Sequence, residues 1–231
     1  MILKEEIHSI QTKIELAKKR GGYNHPVQLI AVTKTHPFST IKSCYDIGIT
    51  SIGENRLQEA VQKFESFETM PDLKRRFIGH LQSNKVKKCL ELFETIDSVD
   101  SVKLAKKISN VALNLGKNPS VLLQVNTSGE SQKHGFLPNQ IDEIQICFEE
   151  SNIDIVGLMT IGPLTNDREQ LRDSFIQLRE LMDTLKQSSQ KTNFTELSMG
   201  MSGDYEIAVE EGSTMVRLGT ALFGKRNPLS V

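Results

Sequence analysis

Short apolar runs and amphipathic stretches alternate along this chain. Leu3, Ile7, Ile10, Ile14 and Ala17 recur at helical spacing, so residues 2–20 open as an amphipathic helix that Gly21-Gly22 stops. The run Gln28-Leu29-Ile30-Ala31-Val32-Thr33 follows. A continuous apolar run bounded by turn residues reads as a strand buried on both faces, as in parallel sheets. Lys34 ends the run, and Pro37 takes the chain out of the sheet. Ser39 is placed to cap a helix that carries Ile41 and Cys44 and ends at Gly48. Further strands are predicted at 49–53, 76–79, 95–99, 120–126, 153–161, 195–199 and 214–218. Helical spacing lies between them: Leu57 to Phe64, Val86 to Phe93 capped by Ser83, then 101–115, 138–150, 167–187 and 203–212. A polar loop covers 127–135.

Eight short strands alternating with helices predict an α/β fold, a single (β/α)8 TIM-type barrel with an extra N-terminal helix. An open doubly wound sheet is the alternative, but it rarely needs eight units. No Gly-x-Gly-x-x-Gly follows the first strand either. No linker, repeat or low-complexity tract divides the 231 residues, so one domain over 1–231 is expected.

Composition narrows the function classes. The formal net charge of −1 gives no overall field toward nucleic acid or an anionic membrane, and neither is expected as a partner. The run Lys85, Lys87, Lys88 reads as a solvated helix face. The first 20 residues are charged throughout with no signal-peptide core, and no apolar stretch of about 20 residues predicts a span. Cys44, Cys89 and Cys147 are odd in number and far apart, without disulfide or zinc spacing; reduced, buried thiols in a cytoplasmic protein account for them. No histidine pair or carboxylate cluster has metal spacing; His8, His25 and His134 are placed on helix or loop surface, and no metal is expected.

A barrel gathers its strand ends into one mouth, where such folds place their chemistry. The ends read as Lys34, Asn55, His80, Asp97, Asn126, Met159 with Thr160, Ser198 to Ser202, and Arg217. A lysine at a buried strand end can lose hydration and attack a carbonyl as a neutral amine; it can equally snorkel to the rim and do nothing. Phosphate sites in barrels follow strands seven and eight, here Gly200-Met201-Ser202-Gly203 and Leu218-Gly219-Thr220. Glycine lets backbone N–H groups approach an anion, and Ser202 and Thr220 add hydroxyls. Two glycine turns that merely close a barrel would look the same. A lysine with a phosphate cup implies a phosphorylated carbonyl compound, either pyridoxal 5′-phosphate (PLP) or a sugar phosphate.

Six segments carry a resemblance. They are Leu29-Ile30-Ala31-Val32-Thr33-Lys34, Gly53-Glu54-Asn55, Phe77-Ile78-Gly79-His80-Leu81-Gln82-Ser83-Asn84-Lys85, Gly157-Leu158-Met159-Thr160-Ile161, Leu197-Ser198-Met199-Gly200-Met201-Ser202, and Val216-Arg217-Leu218-Gly219-Thr220-Ala221-Leu222-Phe223-Gly224. In this order the chain resembles the YggS-like pyridoxal phosphate homeostasis proteins over nearly its whole length. That family resembles the barrel domain of alanine racemase and binds PLP as an imine. The resemblance implies that Lys34 is the PLP lysine and that Ser202, Gly219 and Thr220 contact the phosphate. It places Arg217 beside the pyridine nitrogen, and Asn55, His80 and Met159 at walls of the pocket. It implies a monomer that stores, buffers or delivers the cofactor without robust turnover, with apo PLP-dependent enzymes as recipients. One departure stands out: the family usually has Trp-His before Phe-Ile-Gly, and here the pair is Arg75-Arg76, which bears on packing at the start of strand three.

Two other readings compete, an amino-acid racemase-like PLP enzyme and a Schiff-base aldolase acting on a sugar phosphate. A racemase needs an acid/base on each face of the substrate carbon. Alanine racemases take a tyrosine for this from a second domain, which is not expected here. Tyr23, Tyr45 and Tyr205 fall at no predicted strand end.

Overall fold

A computed structural model describes residues 2–189 and 192–224. Eight parallel strands form a closed barrel in sequence order. They are β1 (Gln28–Val32), β2 (Ser51–Glu54), β3 (Lys74–Phe77), β4 (Thr95–Val99), β5 (Ser120–Gln124), β6 (Asp154–Met159), β7 (Glu196–Met201) and β8 (Met215–Leu218). The last strand pairs with the first, Gln28 opposite Met215 and Ala31 opposite Leu218. Closure leaves no open edge, so every strand finds backbone partners on both sides. Around the strands run α1 (Ile2–Gly21), α2 (Phe38–Asp46), α3 (Leu57–Lys63), α4 (Val86–Leu92), α5 (Val102–Leu115), α6 (Ile141–Cys147), α7 (Arg168–Ser189), α8 (Tyr205–Glu210) and α9 (Thr220–Phe223). The chain is thus the expected (β/α)8 barrel with an added N-terminal helix.

The helix α1 lies against α8. Ile7, Ile10, Ile14 and Ala17 are buried there in one cluster with Tyr205 and Val209. Burying the three isoleucines contributes roughly 5–9 kcal/mol before entropy is counted. Arg20 fixes the end of the helix through Glu206 and Glu210. Gly21 is required at the crossing, because a Cβ there would lie 2.3 Å from the Glu210 carbonyl oxygen.

Several boundaries differ from expectation, each for a local reason. Pro37, not Ser39, precedes α2; neither Ser39 nor Ser83 caps a helix with its side chain. Ser83–Lys85 forms a 3-10 turn instead. Ser101 does cap α5, accepting from the Leu104 N–H, and Gly116 closes that helix in the left-handed conformation. The third strand begins at Lys74, two positions before the expected start at Arg76, since a closed barrel demands backbone pairing whatever the side chains are. The helix expected over 138–150 is confined to Ile141–Cys147. Pro138 and Asn139 make a turn, closed by the Gln140 N–H on the Leu137 carbonyl at 3.0 Å, and the Gln140 side chain accepts from the Leu137 N–H.

The Arg75-Arg76 pair is absorbed without a break in β3. Arg75 lies over the Phe67 ring and pairs with Glu94. Arg76 points into the barrel, where its guanidinium donates to Asp97 at 2.8 Å and Glu196 at 2.9 Å. Asp97 therefore does not stand at the mouth. It sits within β4, fully buried, as the internal counter-ion of Arg76. Above lies an apolar layer of Ile30, Leu122, Met159 and Met215.

Candidate functional site

A cavity of about 560 Å³ opens at the carboxyl ends of the strands. Its lining includes Lys34, Asn55, His80, Asn126, Ser202, Arg217, Gly219 and Thr220. It also includes Gly203 of the expected phosphate turn, and Val32, His36, Ile78, Gln124, Lys133, His134 and Ile161, which the strand-end reading missed. Those residues lie one or two positions from an expected end, or on loops whose path no periodicity describes. Met159, expected at the wall, belongs to the buried apolar layer instead and does not line the cavity. Both faces of a barrel strand are apolar, so alternation could not tell which side it takes.

Lys34 stands in the turn after β1, half-buried. The backbone around it is firmly held. Thr33 is buried and its hydroxyl donates to Glu54 at 2.5 Å, while Lys63 donates to the Thr33 carbonyl at 3.0 Å. Lys63 also bridges Glu54 and Glu59. The Thr35 N–H donates to Glu59. Thr35 has φ +66°, a left-handed conformation that costs a β-branched residue on the order of 1–3 kcal/mol and survives only where its surroundings impose it. The strain adjoins the lysine and fixes the turn from which its side chain departs. Burial pushes the Glu54 carboxyl above the usual range, against the opposing pull of Lys63 and Thr33.

Arg217 is almost fully buried on β8. One of its amino groups donates to the Ser198 carbonyl and hydroxyl, both at 2.7 Å, and the other to the Thr160 carbonyl at 2.6 Å. Burial brings this guanidinium down to about 10, with Asp97 and Asp204 opposing the shift. It remains a cation near neutral pH, and it has donors only.

The two glycine turns meet beside Lys34's strand, with which β8 pairs. Ser202 Oγ accepts from the N–H of Gly219 at 3.3 Å and of Ala221 at 3.0 Å, tying the turn after β7 to the start of α9. Gly200 has φ +95°, and a Cβ there would meet Ala208 at 2.6 Å, so the fold itself demands glycine. Gly203 and Gly219 differ. A Cβ on Gly203 would meet nothing within 4 Å, and one on Gly219 would only touch the Val32 carbonyl oxygen at 3.4 Å. Neither adopts the left-handed conformation. Packing within the chain does not require glycine at either position, and both side-chain spaces adjoin the cavity.

Two further features bear on what could fill the space. Asn55 carries a buried Oδ1 with no hydrogen-bond partner, a polar atom left for a ligand to satisfy. Among the described lining residues there is no carboxylate, whereas Lys34, Lys133 and Arg217 are cationic. The cavity therefore suits an anion that also carries a group reactive toward an amine. Asn126 shapes the rim, donating to the carbonyls of Glu130 and Lys133 in the loop after β5. His80 and His134 stack on each other at the same rim. Tyr23, Tyr45 and Tyr205 are absent from the lining.

A family model described as alanine racemase, N-terminal domain, matches residues 6–227. A protein of Aquifex aeolicus named pyridoxal phosphate homeostasis protein is 39% identical over 224 residues, covering 96% of this chain and 97% of that protein. A Synechocystis protein of the same name is 41% identical over 204 residues, covering 87% and 92%. Among solved structures, PipY of Synechococcus elongatus with PLP bound superposes with a TM-score of 0.83 at 37% identity, covering 96% of this chain and all 100% of that one. An alanine racemase of Clostridium difficile shares the fold at a TM-score of 0.72 and 18% identity, with this chain spanning 57% of its length.

Proposed function

The chain belongs to the alanine racemase N-terminal-domain family and, within it, to the pyridoxal phosphate homeostasis proteins, and from that premise we propose that it binds PLP to store, buffer or deliver it, without robust turnover. One observation carries the reading: the Lys34 amine and the glycine turns at Gly203 and Gly219 share a single carboxylate-free cavity. When bound, PLP supplies an aldehyde that condenses with a primary amine and a phosphate dianion that anchors it. Lys34 supplies the amine, from a turn held by Glu54, Lys63 and Glu59. Ser202, Gly219 and Thr220 supply hydroxyl and backbone donors for the phosphate, and Gly203 leaves room. Asn55 offers its orphan acceptor, and His80 closes the rim. Arg217 lines the same cavity from β8 and would meet the ring.

The same residues argue against efficient catalysis. PLP acts as an electron sink best when its ring nitrogen is protonated. A guanidinium, with donors only, favours the unprotonated nitrogen. No tyrosine among the described residues lines the cavity to act as a second acid/base. The expected behaviour is retention of the cofactor with slow proton chemistry at any bound amino acid. Solvent deuterium exchange at the α-carbon of alanine and serine, followed by NMR on the PLP-loaded protein, tests this. Negligible exchange is expected. Exchange at rates typical of PLP enzymes, lost in Lys34→Ala, would overturn the carrier reading in favour of a racemase-like enzyme.

A further inference from the structure

Loops after three consecutive strands bring His80, Asp100 and His134 together at the rim of the cavity. His80 follows β3, Asp100 follows β4, and His134 lies in the loop after β5. Asp100 Oδ2 is 3.1 Å from His80 Nδ1 and 3.7 Å from His134 Nδ1. The imidazole rings stack with centroids 3.9 Å apart. One ligand atom from each residue lies within 4.8 Å of the other two. We propose that these three side chains form a binding site for a single divalent transition-metal ion of the Zn²⁺, Co²⁺ or Ni²⁺ class.

The chemistry of the donor set selects the class. Two imidazoles with one carboxylate suit borderline ions, while Mg²⁺ and Ca²⁺ prefer oxygen ligands throughout. Metal–nitrogen and metal–oxygen bonds of about 2.0–2.2 Å place tetrahedral ligand atoms roughly 3.3 Å apart. The two distances to Asp100 Oδ2 bracket that spacing, and binding turns both rings out of their stack so that their in-plane lone pairs converge on one ion. The carboxylate is set back, its side chain 12% exposed, behind rings that are 44% and 57% exposed, so an ion can enter from solvent. Ser101 donates to Asp100 Oδ1 at 3.3 Å, which leaves Oδ2 for the ion. The free thiols do not compete, because Cys44, Cys89 and Cys147 are buried. Three protein ligands leave a coordination position for water or solute. The site shares His80 and His134 with the rim of the cavity, but ion binding there requires no cofactor.

The full-length protein titrated with Zn²⁺ by calorimetry, with Mg²⁺ as a parallel probe, tests the proposal. Imidazole ¹⁵N spectra recorded through the same titration identify the ligands. One saturable Zn²⁺ site per chain is expected, with ring nitrogens of both His80 and His134 shifting together and no response to Mg²⁺. Asp100→Asn and His134→Gln should each weaken Zn²⁺ by about tenfold or more, a loss on the scale of one metal ligand. Absence of saturable Zn²⁺ binding, affinity unchanged in both variants, or movement of neither ring would overturn the site. If a variant loses its native circular dichroism, the imidazole shifts of the unmodified protein decide.

Discussion

Gly219 offers a direct separation of anion binding from amine chemistry. Its Cβ position is 3.4 Å from the Val32 carbonyl and 3.6 Å from the Val32 Cβ, ordinary contacts that leave the fold intact in Gly219→Ala. Valine adds two methyl groups beyond that point, and the free direction for them is the cavity. They would stand between a bound phosphate and its donors, the Thr220 N–H and the hydroxyls of Ser202 and Thr220. Hydrogen bonds to a charged partner contribute about 1.5–3 kcal/mol each. Losing two of them costs roughly 3–6 kcal/mol, which is on the order of 10²- to 10⁴-fold in affinity at 1.4 kcal/mol per decade. Pyridoxal lacks the phosphate and should lose little. Equilibrium dialysis of PLP and pyridoxal against the wild-type protein, Gly219→Ala and Gly219→Val provides the comparison. A large selective loss for PLP in the valine variant is expected, with alanine between. Equal losses for both ligands would refute the cup.

Two other predictions concern the body of the barrel. Arg76→Met strands the fully buried Asp97, a loss of about 3–5 kcal/mol, so thermal unfolding should fall by roughly 6–20 °C; an unchanged midpoint would show that the pair is not what tolerates arginine in β3. Burial pushes the Cys44 thiol up to about 11 from 9.0, so the folded protein holds that proton where the unfolded chain releases it. Its contribution is complete below pH 9 and drains away as pH rises through 11, about 2–3 kcal/mol in all. Chemical denaturation of wild type and Cys44→Ala across that window should show the steeper loss in wild type, and parallel curves would contradict it.

The barrel was legible because parallel strands buried on both faces write themselves as continuous apolar runs, and eight of these alternate with helical spacing. The mouth followed, since strand ends locate Lys34, Asn55, His80 and Arg217 without knowledge of the helices. What stayed hidden depends on contacts across the barrel. Asp97 looked like a strand end only because its run stops being apolar there; its role is set by Arg76 from the neighbouring strand. Met159 could not be assigned to the inner layer, because both sides of β6 are apolar. The four-residue α9 is too short to show a helical period, yet it supplies N–H groups to Ser202. His80, Asp100 and His134 meet only because three successive loops converge, which linear spacing does not express.

The central claim is that the amine of Lys34, held at the end of the first strand, bonds to PLP. The measurement that bears on it most directly is borohydride reduction of the PLP-loaded protein followed by peptide mapping. A single pyridoxyl group on Lys34 is the predicted result, with the visible absorption band lost on reduction and absent in Lys34→Ala. A pyridoxyl group found only on another lysine, such as Lys133 at the rim of the same cavity, would contradict the account.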